Sequence, residues 1–397
     1  MVIIWGPYLT MSVICIAHTI DHNILLNRLA NLGITGTCYK WLESYLTDRS
    51  QSVIITGKQS SPQPLRFSVP QGSVLGSLLF TLYISPLGQI IRHHNLKFHQ
   101  YADDNQLYLS FTRSNCVDAI NSVEICIRDI KDWLTQNKLK LNDSKTEILL
   151  IRSRFDTLPA PITSIHIGTS CVTITDSARN IGVTFDDSYS FKPHISNTCR
   201  SVNYFLRKMA HIRKFLTEES CKTVIHAVMS AKLDYANSLL YGLPDNQLQL
   251  LQRTQNTAAR IITRSRKFDH ITPILRRLHW LPVSYRINFK IILLTYKALH
   301  GLAPRYMRDM LTHRLNTRTL RSSSQQLLYV PRWRLKSFGR RSFAVAGPVL
   351  WNQLPLHIKS APNINIFKNR LKTYVFNCLY VSTSATEHWF PLDIGAL

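Results

Sequence analysis

The stretch Phe98 to Phe111, FHQYADDNQLYLSF, limits the folds open to this chain more than any other. Apolar residues alternate with polar ones on both sides of Ala102, Asp103 and Asp104. That period of two predicts a pair of antiparallel strands joined by a tight turn. Adjacent carboxylates at such a tip cannot both enter a core unpaired, but they can hold divalent cations. Turns favour Asp and Asn for backbone reasons as well, so the pair taken alone also fits a solvated turn.

The neighbouring patterns set the hairpin in an α+β context. Apolar residues at 24, 25, 29 and 32 predict one face of a helix over Asn23–Leu32 that stops at Gly33. The stretch from Ser44 to Ser73 mixes β-branched runs with turn residues and predicts a strand pair followed by a loop. VLGSLLFTLYISPLGQII is too apolar to face water and predicts a buried helix interrupted near Pro86. Positions 117, 120, 123, 127, 130 and 134 form a helical face. KTEILLIR reads as a strand, and SIHIGTSCVTIT with RNIGVTFDD as further strands, closing the region near residue 190.

Beyond residue 190 the pattern is mostly helical and the charge changes. The 397 residues carry 48 Lys and Arg against 23 Asp and Glu, a net of +25. Residues 1–198 hold 17 basic and 15 acidic side chains, whereas residues 199–397 hold 31 and 8, a net of +23. A cationic half of this kind points to a polyanionic partner, nucleic acid before a membrane surface. In NQLQLLQRTQNTAARIITRS, Leu248, Leu251, Ala258, Ile261 and Ile262 can line one side, with Arg253, Arg260 and Arg264 on another. RWRLKSFGRRSF interleaves Arg332, Arg334, Lys336, Arg340 and Arg341 with Trp333, Phe338 and Phe343. Such a stretch suits phosphates and base stacking, or else is a basic loop whose aromatics anchor it to a core.

The eight cysteines are scattered, with no CxxC and no His pair at metal-ligand spacing. Zinc is disfavoured, and reduced thiols in an intracellular compartment, nuclear or cytoplasmic, fit better than a disulfide framework. The first 17 residues carry no charge, but lack a basic leader and a cleavage pattern, and Gly6 and Pro7 interrupt the run. A buried strand or a misplaced start is the preferred reading over a membrane segment.

SVPQGSVLGSLLFTLYISPLG, FHQYADDNQLYLSF, WLTQNKLKLNDSKTEILLI and ARNIGVTFDD resemble, in order and spacing, consecutive motifs of non-LTR (LINE-type) retrotransposon reverse transcriptases. LDYANSLLYGLP, the stretch around AARIITRSRKFDHITPILRRLHWLPVS and GPVLWNQLP resemble the region that follows the polymerase core. The likeness runs from Thr19 to about Phe376. It implies a metal-binding pair at Asp103 and Asp104 within a motif completed by Tyr101 and Ala102. It implies template and nucleotide contact at Pro70, Gln71 and Gly72, and a lysine at Lys145 that neutralises or protonates pyrophosphate. Read alone, Lys145 is equally a surface lysine beside Asp143 and Glu147. The implied cofactor is Mg²⁺ or Mn²⁺. The implied partners are an RNA template, with the element's own RNA among the candidates, and a DNA primer or target.

The family pattern also requires a third carboxylate on a strand ahead of the first helix. Counting back from TIDH puts that position at Ser12, the aromatic that polices the sugar at Ala17, and a further family aspartate at His18. A serine hydroxyl does not replace a carboxylate between two dications. Asp21 belongs to TIDH itself. The resemblance begins abruptly at Thr19, without fingers or endonuclease, which suggests a truncated element. The expected layout is an apolar segment at 1–18, a partial right-hand-type palm at 19–190 with an antiparallel sheet and helices, a basic helical thumb-like region at 191–320, and a basic C-terminal region at 321–397. Two functions follow: a polymerase domain disabled at Ser12, or a non-catalytic nucleic-acid-binding remnant.

Overall fold

The computed structural model describes residues 8–16, 20–69, 73–112, 114–152, 163–167, 170–314, 325–335 and 338–380, with 8–16 and 170 described by backbone alone. Pro70, Gln71, Gly72, Lys336, Ala17 and His18 lie outside the described residues. Contacts divide the chain into two units, Ile4–Tyr189 and Ser190–Leu397.

The first unit opens with strand β1 (Tyr8–Ile16), then helices α1 (His22–Asn31) and α2 (Gly36–Leu46). The Asp21 side chain accepts from the backbone N–H of Asn23 at 2.9 Å and of Ile24 at 3.1 Å, so it caps α1. Gly33, at φ +86°, turns the chain out of that helix. Two short hairpins follow, β2 (Ser50–Gln51) with β5 (Gln63–Pro64) and, inside it, β3 (Ile54–Ile55) with β4 (Lys58–Gln59). The apolar run folds as α3 (Gly76–Ile84) and α4 (Leu87–His93), broken at Ser85 and Pro86. Next come β6 (Lys97–Tyr101), β7 (Asp104–Ser110), α5 (Cys116–Gln136), β8 (Lys140–Leu141) and β9 (Glu147–Ile151). The unit ends with β10 (Ser164–Ile167), β11 (Ser170–Thr175), β12 (Ser177–Asn180) and β13 (Val183–Asp186).

The main sheet has seven strands in the order β10-β11-β9-β1-β7-β6, with β8 pairing the end of β1. It is not wholly antiparallel, because β11 runs parallel to β9. Two chain reversals, before and after β10, restore the original direction. The strand at residues 8–16 is central: β1 is hydrogen-bonded between β7 and β9, and the unit begins ahead of residue 19.

Side-chain alternation gives the sheet two unlike faces. Leu107, Ile148 and Leu150 point to the face covered by helices, where they join Leu25, Leu29, Tyr83, Leu87, Val123, Ile127 and Leu134 in one core. Gly88 makes that packing possible, since a Cβ there would lie 2.7 Å from the Phe98 ring. Residues one step out of phase, among them Asp104, Gln106 and Glu147, occupy the other face.

The second unit is helical among the described residues: α6 (Lys192–Ile212), α7 (Glu218–Leu233), α8 (Asp245–Thr263), α9 (Ile271–Arg277), α10 (Val283–Leu299), α11 (Arg305–Arg308), α12 (Phe343–Asn352), α13 (Leu356–Lys359) and α14 (Ile364–Tyr380). The expected boundary near residue 320 does not divide it. The Tyr296 hydroxyl donates to the Ala361 carbonyl at 2.9 Å, and its ring stacks on Phe367 at 4.0 Å. Among the described residues, no helix is long and apolar enough to cross a membrane.

Candidate active site

The Asp pair sits where two facts of the sequence intersect. Alternation fixes β6 and β7 as partners, with Tyr101 directly opposite Asp104, and Ala102 takes φ +52° to close the turn between them. Asn105, only 1% exposed, donates from Nδ2 to the Asp103 carbonyl at 3.3 Å and holds the tip from below. The motif's third polar residue thus secures the turn on the helix-covered side, a role that the sequence reading did not assign.

Asp103 is exposed and Asp104 half-buried. Burial pushes the Asp104 carboxyl above its ordinary value, the charge of Asp103 adds to the rise, and Lys145 opposes it. Lys145 projects from a 3₁₀ turn, Asp143–Lys145, anchored by the Lys131 Nζ contact to Asp143 Oδ2 at 3.3 Å. The structure therefore brings Lys145 within electrostatic reach of the pair. Tyr101 is 64% exposed beside them.

In register, position 12 of β1 lies opposite Gln106 on one side and Glu147 on the other, while Ile14 lies opposite Asp104. Ser12 thus stands one pleat from the level of Asp104, on the adjacent strand. Glu147 shares that level, but its Oε2 accepts from the Arg179 N–H at 3.0 Å, and Gln106 accepts from Asn180 at 2.8 Å. Hairpin β12–β13 therefore engages this part of the face. Asp21 is committed to the α1 cap. No group of three His, Cys, Asp or Glu side chains among the described residues could hold a metal ion.

Residues 18–209 match the reverse transcriptase (RNA-dependent DNA polymerase) family. Over this span the chain is similar to reverse transcriptases, and its curated relatives are polymerases of mobile elements. A probable RNA-directed DNA polymerase from transposon BS of Drosophila melanogaster is 26% identical over 67% of this chain and 30% of its own length. That from the X-element of the same fly is 25% identical over 62% of this chain and 27% of its own. The RNA-directed DNA polymerase from its mobile element jockey is 23% identical over 54% and 24%. The chain thus spans about three tenths or less of the curated relatives it matches. Reverse transcriptases of this family generally use divalent metal ions.

The predicted cationic residues fall into two groups. Arg253, Arg332 and Arg334 are exposed. Arg260 reaches the Asp269 carbonyl at 3.3 Å, and exposed Arg264 the Arg213 carbonyl at 3.2 Å. Arg340 is half-buried near Tyr241. Arg341 turns into the fold: its guanidinium donates to the carbonyls of Leu239 and Tyr241, both at 3.1 Å, and lies over the Phe191 ring at 5.3 Å. Arg213, unmarked in the sequence, is a second inward arginine, donating to the carbonyls of Leu216, Ile261 and Ile262 at the end of α8.

Proposed function

We propose that this reverse transcriptase domain grips a template and primer but does not extend the primer as the chain stands. The observation that supports the reading is the register of β1, in which Ser12 pairs with Gln106 and Ile14 with Asp104, so that position 12 lies one pleat from Asp104 on the adjacent strand. Asp103 and Asp104 keep their places on the hairpin, and Lys145 keeps its proximity to them. A hydroxyl at the third position leaves the like charges of the pair without the ligand set for Mg²⁺ or Mn²⁺. The exposed Arg253, Arg332 and Arg334 support retained binding to RNA template and DNA primer or target.

Primer extension on an RNA template with Mg²⁺ or Mn²⁺, run beside an Asp103→Ala variant, tests this reading. The expected result is no incorporation above the variant, with salt-dependent binding of the template–primer intact. Incorporation that Asp103→Ala abolishes would overturn it.

A further inference from the structure

We infer that the cleft between α9 and α14 seats single-stranded nucleic acid, taking a base on an aromatic stack and the adjoining phosphate on Arg276 and Arg277. The inference rests on the reading of this chain as a nucleic-acid binder, and assigns that binding to a defined site outside the polymerase face.

The cleft encloses about 600 Å³ and is lined by Arg276, Arg277, His279, Phe376, Leu379 and Tyr380 among others. Its floor is built from rings. His279, held at φ +55° just past the end of α9, stacks on Phe376 at 5.2 Å and 27°, and Phe376 meets Tyr380 at 4.7 Å. The Tyr380 hydroxyl donates to the Trp280 carbonyl at 2.8 Å, which fixes the far end of the row. His279 stays exposed, and Phe376 and Tyr380 half-buried, so the stack still offers a ring face to a ligand.

The rim supplies positive charge. Arg276 is exposed, and its side chain has no hydrogen bond or ion pair among the described residues. Arg277 meets Glu218 through one nitrogen, on a pair that solvent reaches. Lys372 lies one helical turn before Phe376, on the same face of α14. Glu218 is the acid in contact with a lining residue among the described ion pairs. An apolar partner would suit the rings and leave the cations facing nothing. A peptide would need acidic and aromatic groups together, whereas each unpaired nucleotide brings a flat base and an anion at fixed separation. A duplex, with its bases stacked inside, offers the phosphates alone.

The test uses the full chain and a fluorescein-labelled ten-nucleotide RNA of mixed sequence, with the same RNA as a duplex for comparison. Fluorescence anisotropy is recorded across a salt series for wild type, Arg276→Ala and Phe376→Leu. Base stacking of the usual strength predicts that Phe376→Leu weakens single-strand binding by at least about 5-fold, while duplex binding stays within about twofold. Arg276→Ala, an exposed position that does not put folding at risk, lowers the slope of log affinity against log salt by about 0.7, one single-strand phosphate contact. Wild-type affinity and slope in both variants would overturn the inference, as would equal losses on single strand and duplex. Polyglutamate competing as well as RNA would replace it with an acidic protein partner. A wild-type chain that binds neither RNA defeats the general reading, an outcome distinct from binding that ignores these two residues.

Discussion

Replacing Ser12 by Asp gives the polymerase face a third carboxylate, and its cost can be worked from the sheet register. Position 12 lies directly opposite Glu147, which puts the Cβ atoms about 4.5–5.5 Å apart. Two carboxylates about 6 Å apart repel by about 3 kcal/mol at an effective dielectric of 20. Asp104, one pleat along on β7, is a diagonal neighbour at about 7–8 Å and adds about 2 kcal/mol by the same rule. Glu147 and Asp104 are only half-buried, so solvent screening reduces the total to about 2–4 kcal/mol. For a unit of this size that lowers the unfolding midpoint by roughly 5–15 °C. Dications bridging the restored set stabilise the folded chain by mass action, so the loss is recovered in millimolar MgCl₂ or MnCl₂. Ser12→Asn, similar in size and uncharged, controls for packing and shows neither the loss nor the metal response. Differential scanning fluorimetry of the three proteins with and without metal reads the outcome directly. A Ser12→Asp variant with the midpoint of Ser12→Asn and no response to metal would refute the placement of position 12 beside the pair.

Two further predictions bear on groups already described. Because burial and Asp103 raise the Asp104 carboxyl above 3.8, the folded state holds that proton more tightly than the unfolded one; its contribution is present below 3.8 and lost as the pH climbs through the raised value. Asp104→Asn therefore raises the unfolding midpoint at pH 7, and the gain shrinks in melts taken towards pH 4; a gain independent of pH would count against it. Arg341→Ala leaves two backbone carbonyls without their charged donor and lowers stability by about 2 kcal/mol, with the salt slope of nucleic-acid binding unchanged. A fall in slope without a fall in midpoint would move Arg341 from the fold to the phosphate backbone.

Much of the site was legible because local patterns carry it. Period two fixes the hairpin 98–111, and a proline divides α3 from α4 where the apolar run alone reads as one helix. Counting back from TIDH reaches Ser12, but no local signal says that its strand lies between β7 and β9, since that pairing joins residues at least 90 positions apart. The face of α5 is shifted at its first turn, where Val117 is exposed while Cys116 and Ala119 are buried. On α8, Gln247, Thr254 and Gln255 are buried beside Leu251, Ala258 and Ile262, a face that the apolar residues alone do not mark, and Gln255 is accommodated by a bond to the Leu281 carbonyl at 2.9 Å. α2 escaped notice because GTCYKWLESYL opens on glycine and buries only Leu46. Nothing in a composition rich in cations separates Arg213 and Arg341, which satisfy carbonyls, from arginines that meet solvent.

The central place of β1 also shapes how the chain reaches its native state. Its partner β7 is complete at Ser110 and its partner β9 only at Ile151, so β1 gains its second neighbour more than a hundred residues after it has been made. Until it docks, β7 and β9 each present an open row of amide and carbonyl groups, the template on which strands of different molecules associate. Loss of residues 8–16 would split one sheet into two with raw edges. A synthetic peptide carrying that segment, added to the remainder during refolding, would then act as a folding partner that limits aggregation.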